Sequence, residues 1–241
     1  MDRSADPPMP ADAGEATLES FAHAPRFNRW MYDALRPWLG VRLAELGAGR
    51  GNLSVHFVAH ARVMLTDQHP THVAMLRERW GQRANVEVHQ ADMTVPQDLR
   101  VLRELSPDTV VFTNVLEHIA NDGQVLRDLH ALVPSGCRLV VLVPYDLRLY
   151  TPFDKAVGHF RRYGEGELER KMTEAGFMVE HQQYFNKAGR LAWALVLKIA
   201  RQRRITTWQL RIYDLFTPVF RVWDKVLPGP GASTIVVARK N

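Results

Sequence analysis

The chain has 241 residues, 46% of them hydrophobic and 24% charged, with a formal net charge of +5, which suits one large α/β domain or at most two small ones. No apolar run reaches the roughly 18 residues that a membrane span needs, and a single cysteine, Cys137, excludes a disulfide framework or a cysteine-rich zinc site within one chain. The charge is uneven: Lys187 to Lys225 holds nine Lys or Arg against Asp214 and Asp224, a local excess of seven, so the remainder is slightly acidic. Such a basic stretch suits contact with anions, membrane headgroups or nucleic acid, or a solvated helix face.

The N-terminus lacks the basic start and apolar core of a secretory signal, and a cytoplasmic setting is expected. Its Pro, Ala, Asp and Gly content predicts a disordered tail over residues 1–17. From Leu18 to Leu39, Phe21, Phe27, Trp30, Met31, Leu35 and Trp38 recur at helical spacing, giving a helical N-terminal element over residues 18–40 that ends at Pro37 and Gly40. The pattern then alternates: strand Arg42 to Leu46, helix Asn52 to His60, strand Arg62 to Thr66, helix His72 to Trp80 and strand Val86 to His89. Strand Thr109 to Thr113, helix Asp122 to Val133 and strand Arg138 to Val143 follow, which implies a doubly wound, mostly parallel sheet.

Tyr145 to Tyr163 is long for a connection and dense in polar and aromatic groups, as a site-lining loop is. A helix over Gly164 to Ala175 and strands over Phe177 to Tyr184 and Ser233 to Ala238 complete the domain of residues 41–241. Between those strands lies a helical insertion over about 187–228. Its first half, Leu191 to Ala200, is apolar apart from Lys198 and ends in Arg201-Gln-Arg-Arg204. Its second half places Trp208, Ile212, Leu215, Phe216, Val219, Phe220, Trp223 and Val226 on a helical stripe, with Thr217-Pro218 as an expected second helix start.

The residues that carry chemistry sit at the expected strand ends. Leu43-Ala-Glu-Leu-Gly-Ala-Gly-Arg-Gly-Asn52 is a strand running into a glycine turn, which lets a ligand approach backbone N–H groups closely. It departs from the dinucleotide fingerprint, because Asn52 stands where the third glycine belongs. Asp67 follows the second strand, suitably for accepting hydrogen bonds from both ribose hydroxyls of a nucleoside. Asp92 follows the third strand in Gln90-Ala-Asp-Met93, and the fourth runs into Asn114-Val-Leu-Glu-His-Ile119.

This ordered set resembles the class I S-adenosylmethionine-dependent methyltransferases, and the resemblance covers Arg42 to Ala238. It implies a Rossmann-like, seven-stranded sheet with an antiparallel last strand. It also implies S-adenosylmethionine as cofactor and S-adenosylhomocysteine as product. Carried over, Glu45, Gly47, Ala48 and Gly49 would shape the methionine pocket. Asp67, with Gln68, would hold the ribose, Asp92 and Met93 would flank the adenine, and Asn114 and Val115 would lie near the sulfonium. The Asn114-to-His118 segment is similar to the branch acting on small molecules, quinones and lipids, and Gly158-His-Phe-Arg-Arg-Tyr163 resembles its bacterial members.

Methyl transfer is an in-line displacement for which positioning supplies most of the rate; an acceptor hydroxyl also needs a base. His118 and His159 are the candidate bases, since histidine titrates near neutrality. Trp30, Met31, Tyr32, Tyr145, Tyr150, Asp154, His159 and Arg162 are candidate substrate contacts, with the N-terminal element closing over the donor and Trp30 to Tyr32 nearest it. Glu117 and His118 resemble part of a metal-binding Glu-x-x-Glu-His pattern, but Asn114 replaces its first Glu and adjacent residues rarely face one ion, so no metal is expected. His56, His60, His69 and His130 show no ligand spacing. The expected function is methyl transfer to an oxygen or nitrogen of a small-molecule or lipid-linked acceptor. A methyltransferase-like binding or regulatory protein and an NAD(P)-dependent oxidoreductase are the alternatives. The insertion reads as a substrate lid, a homodimer surface or, less favoured, a peripheral membrane contact; nucleic acid is not favoured as a partner.

Overall fold

The computed structural model describes residues 12–194 and 206–241. In chain order it holds α1 (Asp12–Ala22), α2 (Pro25–Leu35), β1 (Arg42–Leu46), α3 (Ser54–Phe57), β2 (Arg62–Asp67), α4 (Pro70–Trp80), β3 (Val86–Gln90), α5 (Leu102–Leu105) and β4 (Thr109–Thr113). Then come α6 (Asp122–Leu132), β5 (Arg138–Pro144), α7 (Pro152–Ala156), α8 (Glu167–Glu174), β6 (Phe177–Phe185), α9 (Lys187–Trp193), α10 (Thr207–Val226) and β7 (Ser233–Lys240). The strands form one seven-stranded sheet in the order β3-β2-β1-β4-β5-β7-β6. β1 to β5 pair in parallel, whereas β7 runs antiparallel to both β5 and β6.

Side chains alternate between the sheet's two faces, as period-2 geometry requires. Leu43, Val63, Leu65, Val111, Val140 and Val237 pack with Phe27, Leu35, Phe57 and Leu76 of α2 to α4. Ala44, Met64, Val110, Phe112, Val141 and Val236 pack with Leu102, Leu126 and Leu168 of α5, α6 and α8. Both faces are covered, so β4 and β5 are almost uniformly apolar. The reversal of strand order between β1 and β4 opens a crevice at the strands' carboxyl ends, where an α/β sheet binds its ligand.

Three expectations change. The disordered tail gives way at Asp12, where α1 begins; within the span expected to be disordered, Glu15 is anchored by His72 and Arg50. The helix expected from Asn52 to His60 is the single turn α3, because the glycine turn continues to Asn52 and Leu53 is its N-cap. Thr217-Pro218 does not start a second helix: α10 runs unbroken through Pro218. Pro218 faces outward, Thr217 Oγ1 donates to the Tyr213 carbonyl (3.1 Å), and the part-buried Tyr213 and Phe220 rings meet at 4.8 Å across the proline. The expected apolar helix beyond Ala194 and the basic run Arg201 to Arg204 lie outside the described residues.

Candidate functional site

A cavity of about 900 Å³ opens at the carboxyl ends of β1, β2 and β4. Its floor is the turn after β1. Gly47, Gly49 and Gly51 hold φ of 70°, 55° and 78°, a region costly for any residue with a Cβ. A Cβ on Gly47 would also meet Val115 at 2.7 Å, and one on Gly51 would meet Trp80 at 2.6 Å. Glycine is therefore dictated here by both backbone and packing.

All ten residues expected around the cofactor line this cavity: Glu45, Gly47, Ala48, Gly49, Asp67, Gln68, Asp92, Met93, Asn114 and Val115. Asp67 is buried and organises the floor. Its Oδ2 accepts from the Gly49 N–H (2.8 Å), and its Oδ1 accepts from the His69 N–H (2.9 Å) and faces His72 Nδ1 (3.1 Å). His72 Nε2 continues to Glu15 Oε2 (2.8 Å), and Glu15 also pairs with Arg50. Burial acts to raise the Glu15 pKa, but the hydrogen bonds from His72 and Arg50 win and hold it below the usual range. This chain of contacts ties α1 to the cavity floor, and Glu15, Leu18 and Phe21 line the cavity from above the sheet.

The cover is therefore mainly α1 rather than Trp30 to Tyr32. Of those three only Met31 reaches the cavity. Trp30 is buried against Phe27 and Phe185, and Tyr32 stacks on His56 and meets Phe57 at a tilt. Among the other expected substrate contacts, His159 and Arg162 line the cavity, whereas Tyr145, Tyr150 and Asp154 do not. Tyr145 pairs with Tyr184, and the Tyr150 hydroxyl donates to the His159 carbonyl (2.7 Å). Asp154 is fully buried behind the wall.

Asp154 nonetheless governs that wall. It caps α7 through Thr151, accepts from Arg162 Nε at 2.8 Å, and meets His159 Nδ1 at 3.1 Å. Burial works to raise its pKa, yet the hydrogen bond from His159 and the Arg162 charge bring it below the ordinary carboxylate range. Arg162 is 1% exposed, its guanidinium over the Trp193 ring at 4.3 Å. With Nδ1 turned to Asp154, His159 presents Nε2 to Glu117 Oε1 at 3.8 Å. The His118 ring stands edge-on at 4.6 Å and also lines the cavity. Desolvation and neighbouring His159 push its pKa down to about 4.

Glu117, weighed in the sequence only as part of an incomplete metal-binding pattern, has surroundings that the sequence did not disclose. It is fully buried, neither carboxylate oxygen has a hydrogen-bond partner, and desolvation pushes its pKa up to about 7. Glu117, His118 and His159 each bring one ligand atom within 4.8 Å of the others, which makes them a group able to hold a metal ion. Adjacency of Glu117 and His118 is thus no obstacle: the long loop supplies a third group, and the chain bends at the short turn Leu116–His118. His69 also lines the cavity, although spacing left it without a role.

A crevice with acids at successive strand ends, on a sheet whose last strand is antiparallel, is the arrangement that the resemblance to class I methyltransferases implies. Residues 44–139 match the family model of a methyltransferase domain. Those residues thus match a methyltransferase domain, and they sit in a sheet of the class I methyltransferase type. No curated protein sequence matches the chain. Its fold is similar to an S-adenosylmethionine-dependent methyltransferase from Mesorhizobium loti (TM-score 0.59, 15% identity, 87% of this chain and 97% of that one). It is also similar to magnesium protoporphyrin IX methyltransferase from Synechocystis PCC 6803 with bound S-adenosylhomocysteine (0.54, 15%, 94% and 86%). A further fold likeness is to the [4+2]-cyclase SpnF (0.57, 15%, 90% and 80%).

Proposed function

We propose that the protein transfers the methyl group of S-adenosylmethionine to an oxygen or nitrogen of a small-molecule or lipid-linked acceptor. The observation that carries this reading is the convergence of all ten expected cofactor residues on one cavity whose wall also bears His118 and His159. The acceptor atom attacks the methyl carbon, the carbon–sulfur bond breaks with its electron pair going to sulfur, and S-adenosylhomocysteine leaves. Where the acceptor is a hydroxyl, its proton passes to His159 Nε2, the nitrogen not engaged by Asp154, which stands 3.8 Å from Glu117 Oε1. The test is calorimetric binding of S-adenosylhomocysteine together with transfer of labelled methyl to a panel of hydroxyl, amine and lipid-extract acceptors. Binding without transfer to any acceptor would favour the binding or regulatory alternative.

A second reading has its own support in the unpartnered Glu117 carboxylate. A divalent cation held by Glu117, His118 and His159 would partner that carboxylate and orient an acceptor oxygen. Chelation followed by readdition separates the two. Loss and recovery of turnover, with donor binding unchanged, selects the metal; indifference selects the base.

Glu45 gives the donor site a proton-linked signature. It is 3% exposed, and desolvation pushes its pKa up to about 8 against the Ser54 hydroxyl donating at 2.5 Å. Between its ordinary value and about pH 8 the folded state holds a proton that the unfolded state has lost. This group's contribution to stability therefore falls as pH rises through that window. A donor cation docking beside it reverses the preference and expels the proton. Calorimetry near pH 7 in buffers of different ionisation enthalpy is expected to show net proton release on S-adenosylmethionine binding, absent in Glu45→Gln. Equal release in both proteins would assign the proton elsewhere.

A further inference from the structure

Helix α10 shows two different faces. Leu210, Asp214 and Thr217 are buried, and Leu210, Tyr213 and Gln209 line the cavity. The opposite face leaves Trp208 (62%), Leu215 (60%), Val222 (61%) and Val226 (72%) exposed, with Ile212, Phe216, Val219 and Trp223 beside them. These positions recur every three or four residues and form one unbroken apolar stripe along the helix, with a tryptophan near each end. A stripe of this size asks for a partner.

The charges around it discriminate among partners. Both acids of α10 are turned inward: Asp214 accepts from the Phe27 N–H (2.8 Å) and Asp224 accepts from the Lys187 N–H (2.5 Å). Arg211 and Lys225 flank the stripe on its exposed side. Next to its C-terminal half lies a groove of about 600 Å³ between α2 and α10, lined by Arg26, Arg29, Arg221 and Lys225. One carboxylate, Asp33, answers there, pairing with Arg29 and with Arg221 at 2.9 Å each. In a two-fold antiparallel pairing of α10 with a second copy, Arg211 would meet the copy's Lys225, and no acid on this face would compensate. An apolar stripe with interfacial tryptophans and a cationic border is instead complementary to an anionic bilayer surface.

We propose that the exposed face of α10 is a peripheral docking surface for an anionic phospholipid bilayer. The apolar stripe enters the boundary between headgroups and acyl chains, and the Arg26, Arg29, Arg221 and Lys225 groove receives lipid phosphates. Docking is held by the stripe, not by a membrane span: no described helix is long and apolar enough to cross a bilayer. Because the other side of the same helix lines the cavity, docking sets that cavity beside the membrane. This goes beyond the acceptor reading and stands independently of it.

The test uses the full chain with vesicles of phosphatidylcholine alone and with added phosphatidylglycerol. Sedimentation with the anionic vesicles only, a blue shift of tryptophan emission and weakening by salt are expected. Leu215→Glu/Val222→Glu and, separately, Arg26→Glu/Lys225→Glu should each weaken partitioning by at least about tenfold, with melting curves and S-adenosylhomocysteine binding retained. The charge-reversed protein should gain affinity for vesicles carrying a cationic lipid, a result no misfolded variant would give. No partitioning of the wild type, or undiminished partitioning of both variants, overturns the proposal. So does a dimer by light scattering that Leu215→Glu/Val222→Glu converts to monomer without any vesicle binding. Failure of S-adenosylhomocysteine binding alone would count against the methyl-transfer reading and leave the docking surface standing.

Discussion

Asp67→Ala is expected to weaken S-adenosylhomocysteine binding on the order of 100-fold. Two losses combine. The carboxylate accepts from the Gly49 and His69 N–H groups and orients His72, so its removal frees the floor of the cavity as well as the group proposed to hold the ribose. Hydrogen bonds to a charged acceptor are worth roughly 1.5–3 kcal/mol each, and two to the ribose hydroxyls account for the magnitude. Asp67→Asn should lose nearly as much, because an amide N–H₂ would then face either the Gly49 N–H or the His72 edge. Glu15→Gln offers a graded comparison: it leaves the floor intact and loosens α1, so an affinity loss of only a few-fold is expected for its half-exposed pair. Calorimetry and the ligand-induced rise in melting temperature both report the difference. An Asp67→Ala affinity within about threefold of wild type would show that the donor does not rest on this carboxylate.

The proposed donor half of the site was legible because its signals are local. A strand buried on both faces announces itself by composition, so Arg42–Leu46 and Thr109–Thr113 were read to the residue. Gly47 and Asn114 directly follow such strands, Asp67 ends the buried β2, and Asp92 lies just beyond the edge strand β3. The acceptor half comes together only through tertiary structure. Glu117 acquires its orphaned carboxylate and its His159 neighbour when the long loop folds back, with the Phe160 N–H donating to the Glu117 carbonyl at 2.9 Å. Nothing in the spacing of the chain places Asp154 behind His159 instead of in the cavity. Nor did the polar, proline-containing start of the chain disclose α1, whose position depends on Glu15 reaching His72 and Arg50. Pro218 misled for the same reason: packing of Tyr213 and Phe220 outweighs the missing backbone donor.

His159→Ala is expected to lower kcat about 100- to 10,000-fold for a hydroxyl acceptor while leaving S-adenosylhomocysteine affinity and the acceptor KM close to wild type. The separation follows from position: His159 stands on the wall shared with His118 and Glu117, and none of the contacts organising Asp67 passes through it. Asp154→Asn tests the orienting contact. It keeps the side chain's shape but places an amide opposite His159 Nδ1 or Arg162 Nε, so the imidazole is free to choose the wrong tautomer, and a smaller kcat loss is expected. Because Asp154 also caps α7 and holds buried Arg162, its variant must be compared at matched folded fraction. Partial recovery of His159→Ala by added imidazole would show that the missing function is proton transfer. Recovery by a divalent cation in wild type after chelation, with no imidazole effect in the variant, would assign His159 to metal binding. An unchanged kcat in His159→Ala would mean that the acceptor attacks without losing a proton to the enzyme, as an amine already carrying a free lone pair can.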